Sequence, residues 1–483
     1  MVINSFNFLF FFIILFVVYY FPLRNKTNAQ NAWLLAASYV FYGITDLKML
    51  PVILVSTAIF YILGLLIRQS TSKVASLLTT LGVVAGVGML LYFKYLNFFI
   101  DSFAALITSI GLQANPITLS IIFPLGISFF TFRLISYVIE VNRGKIEPTR
   151  DFVAFATYIA FFPTLLAGPI DRPNDFIPQL KTPRLFDYDL AMDGTRQILW
   201  GIFKKMVIAD NMGLFLGSVG GDVAGQNATT LLIAALVFPL QLYADFSGYS
   251  DMAIGVGKIL GIRVAINFRY PFFARNVAEY WRSWHMSLTS WITDYVFMPL
   301  NVRFRVWGTA GLLLAVVINM IVIGIWHGAN WTYAIFGLYH GLLFIPLVLS
   351  GSLARKKKLK TNRFGLPSGN DFLKMIGTYL LVAFGLIIFN APSVGEAIVF
   401  VKRLFHLSNL TAFTAEGLRM LALSMFFMIL VLVSEWKQRD KEYALQIDVL
   451  FLRKAVRFVI YWVLLIITVL FSGEEQVFIY MQF

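Results

Sequence analysis

Histidine is scarce in this chain. There are four in 483 residues, and three of them, His285, His327 and His340, fall between Gln241 and Gly341. Asp245, Asp251, Glu279, Arg282 and Asp294 share that window. Imidazoles and carboxylates are the groups that general acid–base chemistry uses. Polar groups gathered in so apolar a chain cost solvation energy unless they are paired or reach water. The window therefore reads as a site.

His327 ends an apolar run as Ile325-Trp326-His327-Gly328, and Gly328 leaves room for a close approach. A histidine near the membrane interior is expected to be neutral, because desolvation disfavours its cation. Neutral imidazole is the form a general base needs. A buried imidazole can equally bridge two helices by one hydrogen bond, and spacing alone does not separate the two uses. His285 lies in Trp281-Arg282-Ser283-Trp284-His285. On a continuous helix Arg282 and His285 share a face, as do Arg275 and Glu279. The competing reading is an interfacial aromatic belt with a snorkelling arginine. His340 falls inside the next apolar run and is expected to pack rather than react; His406 reads as a surface residue.

Gln241, Asp245, Ser247, Tyr249 and Asp251 form the densest polar run within or beside an apolar stretch. Gln241 and Asp245 are one turn apart and could line a cavity or hold His285 or Arg282; a purely structural network is the alternative. There is no GxSxG, no HxxxH or HExxH metal spacing and no glycine-rich phosphate loop. Cysteine is absent, which excludes disulfides and thiolate chemistry. No bound metal or tightly held cofactor is expected.

Composition sets the surroundings. Hydrophobic residues make up 59% and charged residues 13%, against roughly 25% charged in ordinary globular chains. Apolar runs of about 20 residues recur, as an all-α polytopic membrane protein requires. The chain reads as one integral membrane domain with about 11–12 transmembrane helices plus re-entrant or interfacial ones, its core near residues 117–350. The net charge of +14 is assigned to basic cytoplasmic loops rather than to nucleic acid.

Those loops set the topology. Arg24 and Lys26 follow Phe6–Phe21, a retained span rather than a cleaved signal. Arg68 and Lys73 follow Pro51–Ile67, and Arg143, Lys145 and Arg150 follow Ile117–Val141. Asp151–Ile170 is long and apolar, yet basic loops flank both its sides and Pro163, Gly168 and Pro169 interrupt it. It is expected to be re-entrant, with its loose backbone groups covered by protein or water. Trp200–Ser218 then goes out and Thr229–Phe246 returns. Ile259–Leu300 stays at the cytoplasmic side, and Ala310–Trp326, Thr332–Leu349, Leu373–Phe389, Met420–Val433 and Val456–Phe471 complete the crossings. Both termini are expected outside and the basic block Arg355–Arg363 inside. A cysteine introduced at Lys357 should therefore escape an impermeant thiol reagent in intact cells; labelling there would invert the map.

Several stretches together resemble the membrane-bound O-acyltransferase family. They are FPLGISFFTFRLISYVIEVNRG (residues 123–144), FFPTLLAGPIDRPNDFIPQL (161–180), YADFSGYSDMAIG, the NFRYPFFARNVAEYWRSWHMSLTSWITDYVFMPL block and IWHGANWTYAIFGLYHG. The branch they resemble is the bacterial one serving alginate O-acetylation, related to the D-alanyl transferase of teichoic acids. Phe389-Asn390 departs from the Phe-Arg usual there, and Thr293-Asp294 from Arg-Asp, which bears on acceptor or partner binding. The resemblance implies helices around a central tunnel in the bacterial cytoplasmic membrane. It implies His327 as the catalytic histidine and His285 as its polar second. Asp245, Tyr249, Asp251, Arg282, Trp284, Trp326 and Asn330 are assigned to the tunnel lining. It further implies an acyl thioester such as acetyl-CoA entering from the cytoplasm. The acceptor it implies is a hydroxyl on an extracytoplasmic polysaccharide or relay protein.

Two other classes compete. A transporter would need an alternating path, commonly built from inverted repeats, and none is visible. A scaffold subunit of a polysaccharide secretion complex would have no use for His327. The aromatic C-terminal tail from Val477 onward is expected either to lie at the lipid interface or to dock an outer acceptor protein.

Overall fold

The computed structural model describes residues 2–113, 119, 121, 123–353, 359–406, 413, 415–447 and 454–479. Residues 117, 118, 120 and 122 of the fifth expected span, Lys357 with residues 354–358, and Tyr480–Phe483 lie outside them. Helix is the dominant structure among the described residues, alongside one isolated bridge between Thr361 and Pro367. Eight helical stretches there are long and apolar enough to cross a bilayer. Two of them, Thr27–Gln69 and Ser72–Ser109, run to 43 and 38 residues. The first is interrupted by the tight turn at Leu47–Met49 and the second by a π-helical stretch at Leu91–Tyr95. The chain gathers into two compact units.

The first unit comprises residues 1–195 with Ala253–Ala265. It begins with the short apolar α1 (Phe6–Tyr20), then α2 (Thr27–Asp46) and α3 (Leu50–Gln69), separated by one tight turn at Leu47–Met49. α4 (Ser72–Leu90) passes through a π-helical stretch into α5 (Leu96–Ser109). α6 (Ile127–Asn142) is buried almost along its whole length. The Asp151–Ile170 segment does not form one helix. It breaks into α7 (Phe152–Ala160) and α8 (Phe162–Leu165), with α9 (Pro173–Phe176) following. Proline cannot donate within the first turn, and a broken helix leaves carbonyls that need donors.

Arg133 of α6 supplies them. Its guanidinium donates to the carbonyls of Tyr158 (3.1 Å), Ile159 (3.1 Å), Thr164 (3.2 Å) and Pro169 (3.3 Å), and also to the Thr164 hydroxyl. Asp171 balances the charge at 3.5 Å. Residues 153–171 are buried with scarcely an interruption. Phe8 and Phe11 of α1 meet Phe41 of α2 and Phe162 of α8 in a ring cluster. The first half of α10 (Tyr188–Phe203) closes this unit.

The second unit holds residues 196–252 and 266–483. The expected span Trp200–Ser218 is instead part of a run from α10 through a π-helical stretch, Lys204–Ala209, into α11 (Asp210–Gly220). Lys204, Lys205 and Asp210 lie buried inside it, and these charges keep it outside the eight apolar spans. α12 (Ala228–Ile259) answers them: Lys204 pairs with Asp251 and Lys205 with Asp245, each at 2.7 Å, while Lys205 also reaches Asp210 at 2.8 Å. Each charge is compensated, as burial demands.

The interfacial stretch after residue 266 is a set of short pieces: α13 (Val277–Trp281), α14 (Met286–Ile292) and α15 (Met298–Arg303). α16 (Gly308–His327) and α17 (Trp331–Leu343) then form an antiparallel hairpin, continued by α18 (Ile345–Leu349). A Cβ at Gly337 would come within 2.5 Å of the Met320 carbonyl oxygen. Only glycine permits helices to approach that closely. α19 (Gly369–Asn390), the amphipathic α20 (Val394–Leu404), α21 (Ala415–Lys437) and α22 (Lys454–Phe471) complete the unit. On α22, Trp462, Val469 and Leu470 are exposed, the pattern of a helix facing hydrocarbon.

Candidate active site

His327 is the last residue of α16 and is buried. Gly328 turns the chain into extended backbone, its N–H bonding back to the Ile325 carbonyl at 3.2 Å. The His327 ring packs edge-on between Trp326 and Phe389 of α19, both with centroids at 5.1 Å. A ring so held keeps one orientation.

His285 is reached differently. α13 ends at Trp281, and the chain runs beside residues 267–269 before α14 begins. Arg269 N–H bonds to the Ser283 carbonyl (3.0 Å) and Met286 N–H to the Asn267 carbonyl (2.9 Å). The Asn267 side chain accepts from the Ser287 hydroxyl at 2.6 Å and donates to Ser250 at 3.2 Å. This ladder forces His285 into the left-handed region, φ 44° and ψ 52°. Such a conformation is costly for a residue with a Cβ and is kept where surrounding contacts enforce it. The ring is fully buried against Phe246 (4.6 Å) and Trp326 (5.6 Å). Trp326 is thus the shared wall between the two imidazoles. Burial, with a further push from the nearby His327, holds His285 well below the usual histidine pKa, so its ring is neutral.

Two cavities within the second unit are lined by residues that adjoin this site in sequence, Met286 after His285 and Asn390 after Phe389. One, of about 490 Å³, is lined by Trp281, Arg282, Met286, Asp294, Met320 and Ile323 among others. Its α16 residues Val316, Met320 and Ile323 fall on the helical stripe that continues to His327. The other, of about 110 Å³, lies between α11, α12, α19 and α20 and takes in Asn390, Pro392 and Glu396. Asn390 directly follows Phe389, the residue against His327.

The remaining sequence candidates separate. Arg282 caps α13 and bonds to the Leu353 carbonyl; it is exposed and lines the larger cavity. It does not share a helical face with His285, because no helix spans the two. Arg275 and Glu279 do pair as spaced, at 2.8 Å. Trp284 is buried one layer behind His285, against Phe268 (5.0 Å) and Tyr280 (5.4 Å). Asn330 caps α17, accepting from Thr332 N–H at 3.0 Å and donating to the Pro392 carbonyl at 2.7 Å. It fixes the hairpin tip beside His327. His340 accepts from the Trp281 indole N–H at 3.2 Å, among Phe336 and Tyr339. It packs, as its position implied.

Asp245, Tyr249 and Asp251 belong to a second cluster, built on the two lysines. Asp245 and Asp251 are the counterions of Lys205 and Lys204, and Gln197 also donates to Asp251 at 2.8 Å. Tyr249 packs against Phe478 at 5.0 Å. The C-terminal tail is part of the same cluster: Ile479 N–H bonds to Asp245 (2.8 Å), Lys205 to the Gln476 carbonyl (2.8 Å), and Phe478 sits 4.2 Å from the Lys205 ammonium. Phe478 is buried and Val477 exposed, so the tail is anchored to this cluster through Phe478. The signal that could have warned of this is the Lys204-Lys205 pair, two cations in an apolar helix that need two acids nearby. Phe389 and Phe246, which hold the imidazoles, left no signal beyond their apolarity.

A sequence profile of the MBOAT, membrane-bound O-acyltransferase family matches residues 34–389. Among curated proteins, the chain is 36% identical over 443 residues to the "Probable alginate O-acetylase AlgI" of Pseudomonas aeruginosa, covering 89% of this chain and 81% of that protein. It is 31% identical over 415 residues to the "Peptidoglycan O-acetyltransferase" of Helicobacter pylori, covering 78% and 74%. To the "Teichoic acid D-alanyltransferase" of Streptococcus thermophilus it is 33% identical over 306 residues, covering 59% and 72%. Matched over most of its length and built of bilayer-length helices, the chain belongs to the membrane-bound O-acyltransferase family and is an O-acyltransferase.

Proposed function

We propose that this enzyme moves a short acyl group, acetyl in the simplest case, from a cytoplasmic thioester across the membrane to an extracytoplasmic hydroxyl. The acceptor is a polysaccharide of the alginate type or a relay protein that passes the group on, and acetyl-CoA is the donor class. The observation that carries this reading is the placing of His327: the larger cavity climbs the α16 stripe Val316, Met320, Ile323 toward it, and Phe389 links it to the rim of the smaller one. His327 takes the proton of the acceptor hydroxyl as its oxygen attacks the thioester carbonyl. The carbon–sulfur bond then breaks, and the thiolate recovers the proton from the imidazolium. A neutral His285 donates its one N–H to the oxyanion of the intermediate, a contribution of roughly 3–4 kcal/mol where such donors have been removed. Trp326 keeps both rings in fixed planes.

The reading is tested by filling the larger cavity. Ile323→Trp should raise the thioester KM at least ~10-fold with a folded protein, the mark of lost ground-state binding. Purified enzyme in vesicles, with acetyl thioester on one side and oligosaccharide on the other, gives the measurement. An unchanged KM would remove this cavity from the donor's path.

A further inference from the structure

A cavity of about 870 Å³, larger than either of the two described above, lies between α19 and α21. Its walls are apolar: Phe372 and Met375 from α19, Ile429 and Val433 from α21, with Phe364 and Trp436 at one end. Phe372, Ile429 and Val433 are exposed on the flanks of two bilayer-length helices, so the groove opens sideways, where hydrocarbon chains would lie.

Its charge is confined to that aromatic end. Lys437 and Arg439 belong to the lining, and Arg363 adjoins it. The Arg363 guanidinium sits 4.7 Å from the centre of the Phe364 ring and that of Arg439 4.9 Å from the centre of the Trp436 ring. Arg439 also donates to the Trp436 carbonyl at 2.7 Å, and the Trp436 indole N–H to the Gly365 carbonyl at 2.9 Å. Two cations are thus held on the groove's own aromatic residues. Nearby acids do not cancel them. Glu435 is buried and receives the Tyr243 hydroxyl at 2.7 Å, and Asp371 faces Arg275 at 3.7 Å. Asp440 and Glu442 are offset in sequence by Lys437, Arg439 and Lys441, and Lys360 and Arg363 precede the groove.

From this separation of an apolar, laterally open channel and a cationic mouth we infer that the groove between α19 and α21 is a binding site for an anionic glycerophospholipid. The acyl chains lie along Phe372, Ile429 and Val433. The phosphate rests against Arg363, Lys437 and Arg439, at the level where tryptophan marks the interface. Basic pockets between membrane helices recognise anionic headgroups in this way.

The test uses the purified full-length protein in uncharged detergent, titrated with phosphatidylglycerol or with phosphatidylcholine of the same chains, and read by thermal unfolding and by native mass spectrometry of bound lipid. Phosphatidylglycerol should raise the unfolding midpoint more than phosphatidylcholine does. The triple variant Arg363→Gln, Lys437→Gln, Arg439→Gln should bind it at least ~10-fold more weakly, and Lys73→Gln should bind it as the parent does. Val433→Trp, which fills the channel and leaves the cations, should also lose the gain. Equal stabilisation by both lipids, or full retention in the triple variant, would overturn the assignment. So would an equal gain from water-soluble glycerol phosphate, which lacks the chains. None of these readouts depends on acyl transfer, so the site stands or falls apart from the proposed reaction.

Discussion

His327→Gln should lower acyl transfer by at least ~10²-fold, the lower range for losing a general base, while the protein stays folded. Glutamine keeps a polar head and comparable bulk between Trp326 and Phe389 but cannot accept and return a proton. The comparison that gives this meaning is His340→Gln. His340 accepts one hydrogen bond from Trp281 and lies against Gly385, where an added Cβ would come within 2.9 Å of its Nε2. Its loss should loosen a wall of the larger cavity and cost much less. Both variants are to be assayed for acyl transfer beside size-exclusion and thermal-unfolding profiles. Activity of His327→Gln within a few-fold of the parent would end its assignment as the base, and equal losses would mean the two histidines are wrongly ranked.

Lys205→Met should be the most destabilising single change in the second unit. The substitution keeps the length of the side chain but leaves Asp245 and Asp210 facing each other in a buried site with no cation. Breaking a buried pair from one side costs about 3–5 kcal/mol. It also removes the ammonium from the Phe478 ring and from the Gln476 carbonyl, so the tail keeps the Ile479 N–H to Asp245 but loses these two contacts. Adding Asp245→Asn to Lys205→Met should recover part of the loss, because one uncompensated carboxylate disappears. Deleting Val477–Phe483 should lower the unfolding midpoint too, by removing the Ile479 N–H and the Phe478 ring. The midpoint in detergent reads all three, and an unchanged value for Lys205→Met would show that the pair contributes nothing.

The membrane helices were legible because each signals itself: about 20 apolar residues can do little else. The histidines were legible by rarity. The Asp151–Ile170 break was also readable, since Pro163 and Gly168 sit inside an apolar run with basic residues on both sides. Pairings were not readable. Lys205 is 40 positions from Asp245, so the carboxylate looked available to His285. The geometry of His285 was hidden for a related reason. Helical periodicity was carried across Arg282–His285, whereas backbone hydrogen bonds to Asn267 and Arg269 end the helix there. Local propensity cannot see a ladder made with residues 14 and 19 positions earlier, Arg269 with Ser283 and Asn267 with Met286.

Arg133 bears on how the chain enters the bilayer. Alone in hydrocarbon its guanidinium is expensive, and the broken α7–α8 segment alone would expose carbonyls that lipid cannot satisfy. Each is tolerable only in contact with the other. Because α6 and α7–α8 are consecutive, the ribosome delivers them in order. The guanidinium and the carbonyls are therefore satisfied only once both segments have been delivered. Arg133→Leu would free α6 to partition early and leave α7–α8 without its donor, so the variant should be lost during biogenesis, to quality-control proteolysis, rather than through any defect in chemistry.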